Sequence, residues 1–295
     1  MSLGLDLPSE VKRGLERVLA NLLSIARLSY RSNTLKNAVA SYINNPGKLV
    51  RPTLTLLTSY LLDGDIDIAV DAATAVECVH IAALLQDDVF DEHKVRRGVP
   101  TPACVYGEHF SILASNIFIA KAVEFCTRTG IPEIVNEIAS AAIRLTDGES
   151  RELELRRANR RITLRDYFEI ILGKTASLIE ASLTVGAYTS KRGRGLINKL
   201  RILGRLLGLA YQIRDDIVDF LSADPKNPPS FESVNIVNVL EQELGREAAL
   251  SKAMRLLANI LKNVEKLVWE AFGSAGFIFA SLIERNLQPP MIRLF

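Results

Sequence analysis

The chain has 295 residues, 36 of them basic and 34 acidic, for a formal net charge of +2; 48% of it is hydrophobic but only 6% aromatic. Charge so near balance gives no electrostatic reason for nucleic-acid binding, and a core so poor in aromatics must be built mainly from Leu, Ile, Val and Ala. Three cysteines (Cys78, Cys104, Cys126) and three histidines (His80, His93, His109) without metal-ligand spacing exclude a zinc motif and point to free thiols in a reducing, cytoplasmic setting.

Helical periodicity dominates from the start. Asp6, Glu10 and Lys12 do not fit a secretion signal, and Val11, Leu15, Val18 and Leu22 mark one face of a first helix. Pro46-Gly47 breaks the chain, and an apolar helix is expected from about Pro52 to Leu62. After the turn Asp63-Gly64-Asp65, a long helix runs from about Ile68 to Asp91. Gly98 to Pro102 reads as a loop, and the next helix covers Phe110 to Arg128, stopped by Gly130 and Pro132. Helices are expected at about Ile131 to Arg156, Leu164 to Tyr188 and Leu196 to Phe220, then a loop at Asp224 to Pro229 and two or three closing helices. Val234 to Leu240 alternates like a strand but is too isolated to build a sheet. The basic run Arg156 to Arg161 reads as a solvated helix end. The longest uncharged apolar stretch, Ala271 to Ile283, is too short to span a bilayer, so no transmembrane segment is expected. No linker divides the chain, and the expectation is one all-α bundle over residues 1–295.

Two of these helices end in the same acidic pattern, Asp87-Asp88-Val89-Phe90-Asp91 and Asp215-Asp216-Ile217-Val218-Asp219. Carboxylates behind apolar runs are costly unless something positive compensates them. Residues four apart share a helical face, so Asp87 with Asp91, and Asp215 with Asp219, can each aim oxygens one way. Hard cations such as Mg2+ take oxygen ligands and keep waters and substrate phosphates in their shell. Candidate anion-binding groups are spread around both: Lys48 and Arg51 at a helix start, Arg96-Arg97-Gly98 after the first cluster, Lys174-Thr175 after Gly173, and Gln212 before Asp215.

In order, G-K-L-V-R-P at 47–52, His80 with D-D-V-F-D at 87–91, R-R-G at 96–98, G-K-T at 173–175 and Y-Q-I-R-D-D-I-V-D at 211–219 resemble the trans-prenyl diphosphate synthases, the polyprenyl synthetase family. The resemblance implies an all-α fold around a central cavity, with the acidic clusters facing each other at its mouth (the isoprenoid synthase type I fold). It implies head-to-tail condensation of an allylic diphosphate with isopentenyl diphosphate, assisted by three Mg2+ ions, with Mn2+ as a substitute. Carried over by position, Asp87, Asp91 and Asp215, with Asp219 beside them, hold metal, and Asp88, Asp216 and Lys174 join the catalytic group. Arg96, Lys174, Thr175 and Gln212 touch the allylic diphosphate, while Lys48, Arg51, His80 and Arg97 hold isopentenyl diphosphate. The departing diphosphate serves as the base, so no dedicated His or Glu is required. A homodimer is implied, with the apolar helix from Phe110 onward as its interface.

Three departures stand out. The family usually has Gly-Asp where this chain has Ser115-Asn116, and often His where it has Gln86. After the second cluster it commonly has a longer loop with two lysines, whereas Asp224 to Phe231 carries only Lys226. Three successive levels of the tail-binding helix below Asp87, Ala83 and Ala82, then Val79 and Cys78, then Val76 and Ala75, lack an aromatic plug. One turn is about 5.4 Å, close to one isoprene unit, so a product longer than C20, in the range C25–C35, is expected, with Phe118 or Ile119 as a lower floor. Three alternatives share parts of the pattern. A geranylgeranyl diphosphate synthase would differ only in product length. A non-catalytic subunit of a hetero-oligomeric synthase fits the shortened lysine loop and Asn116. A class I terpene cyclase would not need the second diphosphate site of Lys48, Arg51 and Arg97.

Overall fold

A computed structural model describes residues 7–158, 160–190, 193–222 and 234–287. The chain is all-helical apart from one two-residue hairpin among those residues. It divides into two compact units, Met1–Ala139 with Ser182–Arg192, and Ser140–Ala181 with Gly193–Phe295.

The first unit holds α1 (Ser9–Ala26), α2 (Asn33–Ile43), α3 (Val50–Leu61), α4 (Ile66–Phe90), β1 (Val95–Arg96), β2 (Val99–Pro100), α5 (Pro102–Tyr106) and α6 (Glu108–Arg128). Its axis is α4, apolar on almost every side and packed against α1, α3 and α6. Asp65 starts it: Oδ1 accepts from the backbone N–H groups of Asp67 and Ile68, which have no helical partner of their own. Small residues such as Ala69, Ala72, Ala73 and Ala75 let neighbours approach closely, and Asn21 of α1 donates to Thr74 Oγ1 across one such contact (3.1 Å). Where a loop was expected after the first cluster, β1 and β2 pair around Arg97-Gly98, both at positive φ (52° and 78°). Two successive left-handed residues make the tight turn whose twist suits a hairpin, which is what Gly98 supplies to the R-R-G motif.

The boundaries of the two units fall inside α7 (Pro132–Arg157) and α9 (Ser177–Tyr188). The second unit also contains α8 (Leu164–Ile171), α10 (Arg194–Ser222), α11 (Ile236–Leu244), α12 (Arg246–Phe272) and α13 (Gly276–Leu287). Between α8 and α9 the chain widens into a π-helical turn, Leu172–Ala176. The alternation at Val234 to Leu240 is helical, not extended: Asn235 Oδ1 accepts from Val237 and Asn238 N–H and starts α11, which packs on α12. The basic run is occupied in ion pairs, Arg156 with Glu152, Arg160 with Asp166 (2.8 Å) and Arg161 with Glu243 (3.1 Å).

By length and composition alone, Ile66–Phe90, Glu108–Arg128, Leu164–Tyr188 and Arg246–Leu287 could each cross a membrane. The uncharged stretch weighed in the sequence understates them, because a few charged residues interrupt long apolar windows. In Ile66–Phe90 and Leu164–Tyr188, 78% of the window is buried inside the protein itself. The apolarity of those two helices is therefore spent on core packing.

Candidate active-site residues

In the first unit the acidic cluster closes α4 at its C-terminal end, where the helix dipole is itself negative. Asp87 and Asp91 are half-buried on one side, with Asp91 as the capping residue. Asp88 points the other way and is fully buried. Its Oδ1 accepts from Arg96 Nε (2.6 Å) and its Oδ2 from the Tyr42 hydroxyl. Beside this carboxylate, burial and the negative charge push the Tyr42 phenol up, so it stays a donor. The structure thus sets Asp88 apart from its neighbours in the motif: it ties α2, α4 and the hairpin together. Arg96, expected to touch a diphosphate, reaches Asp88 with one of its five N–H donors.

The hairpin turn carries Arg97 back to the G-K-L-V-R-P segment. Its Nη1 donates to the Asn45 carbonyl (2.7 Å), and its guanidinium lies so close over Gly47 that a side chain there would collide with it. Gly47 itself has φ 68°, so its backbone conformation is what calls for glycine in this motif, while the end of the Arg97 side chain could swing aside. Arg51 Nη1 donates to His80 Nε2 (3.1 Å). A guanidinium has no acceptor, so Nε2 is the acceptor and the ring proton sits on Nδ1. Burial, with Arg51, Arg97 and Arg96 adding to it, holds His80 well below the usual histidine range and therefore neutral. Arg51, His80 and Arg97 are brought together; Lys48 is exposed nearby in sequence.

On α4, Ala83 is half-buried and Ala82 buried. At 100° per residue, Ala83 lies about 40° from Asp87 around the helix and Ala82 about 140°. Only Ala83 shares the face of Asp87. Phe118 is fully buried on α6, but Ile119 is 39% exposed and is no floor. The two departures on this unit meet: Gln86 Nε2 donates to Ser115 Oγ (3.1 Å), which donates in turn to the Ile112 carbonyl (2.8 Å).

The second unit repeats the plan. Asp215 and Asp219 are exposed, while Asp216 between them is buried. Its Oδ2 accepts from the Tyr167 hydroxyl (2.8 Å) and Ile236 N–H (2.9 Å), and its Oδ1 from Gln212 Nε2 (2.9 Å). Burial pushes Asp216 up to about 6 against these donors, and Asp219 adds to the rise. Asp219 is itself raised by burial and by Asp215, with Arg214 pulling the other way. Thr175 Oγ1 donates to Gln212 Oε1 (2.9 Å), so Thr175, Gln212, Asp216 and Tyr167 form one hydrogen-bonded chain.

Lys174 sits in the π-helical turn, a distortion that often re-aims a side chain at functional sites. Gly173 makes room for it by lying against Gly148 of α7. Its Nζ pairs with Glu149 (2.6 Å) and Glu152 (2.9 Å), both 5% exposed. Sequence reasoning missed Glu149 and Glu152, as it missed Tyr42, Tyr167 and Asn45. The signal for the glutamates was available, since two acids three apart in a helix also carrying Ile138, Ala141 and Leu145 share one face. Lys226 and the rest of the segment 224–231 lie outside the described residues.

Among the described residues no group of three or more His, Cys, Asp or Glu forms a ready metal cage. A pair of carboxylates on one helical side is nonetheless the donor set Mg2+ uses when waters and substrate phosphates complete its shell. The mutual repulsion of Asp215 and Asp219 is relieved by a cation. Both pairs fit that ion.

A sequence model described as polyprenyl synthetase matches residues 32–227. The chain is similar to the geranylfarnesyl diphosphate synthase of Methanosarcina mazei, 32% identical over 75% of this chain and 74% of that protein. It is also similar to a short chain isoprenyl diphosphate synthase of Methanothermobacter thermautotrophicus, 33% identical over 81% and 75%. Among solved structures it resembles the geranylgeranyl pyrophosphate synthetase of Pyrococcus horikoshii, with a TM-score of 0.79, 25% identity and coverage of 94% and 97%.

Proposed function

Because this chain belongs to the polyprenyl synthetase family, we propose that it extends an allylic diphosphate with isopentenyl diphosphate to an all-trans product longer than C20, in the range C25–C35. It is a trans-prenyltransferase, a polyprenyl diphosphate synthase. The family acts on isopentenyl and allylic diphosphates and is typically Mg2+-dependent. The observation that carries the site reading is the repeated plan of the two clusters, with a clamped inner aspartate and two outward ones in each.

Breaking an allylic C–O bond develops negative charge on the diphosphate and positive charge on carbon. Mg2+, when bound, supplies Lewis-acid stabilisation of the first. Asp87 and Asp91, and Asp215 and Asp219, would hold it. Lys174 and Arg96 add fixed positive charge for the allylic diphosphate, with Thr175 and Gln212 as neutral partners. Lys48, Arg51 and Arg97 bind the isopentenyl diphosphate, and His80, held neutral, offers its Nδ1–H without adding charge. The apolar side of α4 below Asp87, through Ala83 and Val79, shelters the cationic carbon from water.

Product length rests on Ala83. A relative named as a nonaprenyl synthase and another named as a geranylgeranyl synthase bracket the family's range from C20 to C45. The absence of an aromatic side chain at Ala83 and Ala82 favours the part above C20. The exposed Leu113, Ile119 and Val123 on α6 are read as a homodimer surface, and the protein as cytoplasmic. Incubation of the purified protein with isopentenyl diphosphate, an allylic primer and Mg2+, followed by chain-length analysis, tests the whole reading. Products of C25–C35 support it, a C20 end product removes the length assignment, and intact substrates leave the non-catalytic subunit in its place. Sedimentation analysis tests the dimer.

A further inference from the structure

Glu77 is a buried carboxyl with no role in the scheme above. It lies on α4 one turn before His80, is 3% exposed, and its Oε2 has no hydrogen-bond partner. The charged groups that act on it are Arg51 of α3 and Arg97 of the hairpin turn, both pulling it toward ionisation, while burial pushes it up to about 7. On its own helix His80 is neutral, and burial pushes the Cys78 thiol up, so neither carries charge.

A carboxylate that served only to pin an arginine would be hydrogen-bonded to it on both oxygens. Here the guanidiniums donate elsewhere, Arg51 to His80 and Arg97 to the Asn45 carbonyl, and one oxygen of Glu77 is left bare. Two positive charges in a diphosphate cradle need a balance when the cradle is empty. Once a diphosphate arrives, the same carboxylate becomes a like charge at close quarters. We propose that Glu77 is the exchangeable counter-charge of this cradle, ionised when it is empty and protonated from solvent when a diphosphate lies on Arg51 and Arg97. The step forms one O–H bond with a proton taken from the buffer and breaks no bond in the substrate. It rests on the assignment of Arg51 and Arg97 to isopentenyl diphosphate.

Titration calorimetry with isopentenyl diphosphate alone, in buffers of different ionisation enthalpy, counts protons without turnover. The wild-type protein should take up more protons than Glu77→Gln between pH 7 and 8, by about half a proton per site at pH 7, where the free carboxyl is half ionised. Glu77→Asp should restore the uptake. Glutamine mimics the protonated acid, so Glu77→Gln should bind isopentenyl diphosphate several-fold tighter than wild type at pH 8. Equal proton counts in wild type and Glu77→Gln, or weaker binding by Glu77→Gln at pH 8, would overturn the inference. Should Glu77→Gln fail to fold, the wild-type count decides alone: it must rise from pH 6 to 8, and a flat count rejects the idea. An Arg51→Gln variant with unchanged affinity would instead remove the cradle assignment itself.

Discussion

In the first acidic cluster the buried aspartate, Asp88, meets a guanidinium and a tyrosine; in the second, Asp216 meets a tyrosine, a glutamine amide and a backbone N–H, all neutral. One sequence pattern therefore hides two ways of keeping a carboxylate in the core. Charge pairing gives strong attraction but leaves a stranded ion if either partner is lost. Neutral donors give less, so Asp216 is pushed up to about 6, but the loss of one donor leaves two others. The inner aspartates are thus held in the fold in both clusters, and the outward ones are those proposed to hold the metal.

The largest test of that division is at the outward residues. Asp87→Asn and Asp215→Asn should each lower turnover by about 10²–10³-fold, the cost of removing one group that stabilises developing charge. Asp215 is exposed and Asp87 half-buried at the end of its helix, so thermal stability should stay within about 0.5 kcal/mol for Asp215→Asn and about 1 kcal/mol for Asp87→Asn. Steady-state assay with Mg2+ and both substrates, beside thermal unfolding, checks the pair. An active Asp215→Asn beside an inactive Asp87→Asn would mean that the clusters are not functional equals.

The inner residues should separate in stability. Asp88→Asn leaves the Arg96 guanidinium beside a neutral amide and should cost about 3 kcal/mol. Asp216→Asn keeps an acceptor for its neutral donors and should cost about 1–2 kcal/mol. Similar losses in unfolding experiments would show that charge pairing is not what distinguishes the two clamps.

A third contrast lies along α4. Ala83→Phe adds an aromatic ring on the face of Asp87 and should shorten the product by one or more isoprene units. Ala82→Phe places the ring on the opposite, buried side, where overpacking costs about 1–3 kcal/mol, with a smaller change in product. Chain-length analysis of both variants checks this; an unaltered product from Ala83→Phe would overturn the placing of the product tail along the face of Asp87.

Long helices were legible, α4 because its apolar run persists over many turns between turn signals and α10 because its apolar residues recur on one face. α2 was not, since Asn33, Thr34, Lys36 and Asn37 interrupt an 11-residue helix; its Ser32 cap, accepting from Leu35 N–H, was the overlooked signal. The outward acids were legible because i and i+4 spacing is local. Their inner neighbours were not, because Tyr42 and Asp88 are 46 positions apart and Tyr167 and Asp216 are 49. A motif shows which residues are neighbours in sequence but not which of them turns inward. The π-helical turn at Lys174 was equally hidden, since one extra residue in a turn leaves only a phase shift that Gly173 does not by itself announce.

The smallest effect sits behind the first cluster. Gln86 and Ser115, two departures from the family pattern, are hydrogen-bonded to each other. A departure at Ser115 alone would put a hydroxyl beside α4 with its lone pairs unused, and the amide of Gln86 uses one of them. Substituting either partner leaves the other, buried Ser115 or half-buried Gln86, short of one bond, whereas substituting both removes the need. Gln86→Met and Ser115→Ala should therefore each cost about 1 kcal/mol and their combination less than the sum, with a coupling of about 0.5–1 kcal/mol. A double-mutant cycle by thermal unfolding measures it. Strict additivity would mean that the two residues diverged independently and that their contact does not hold α6 against the helix carrying Asp87.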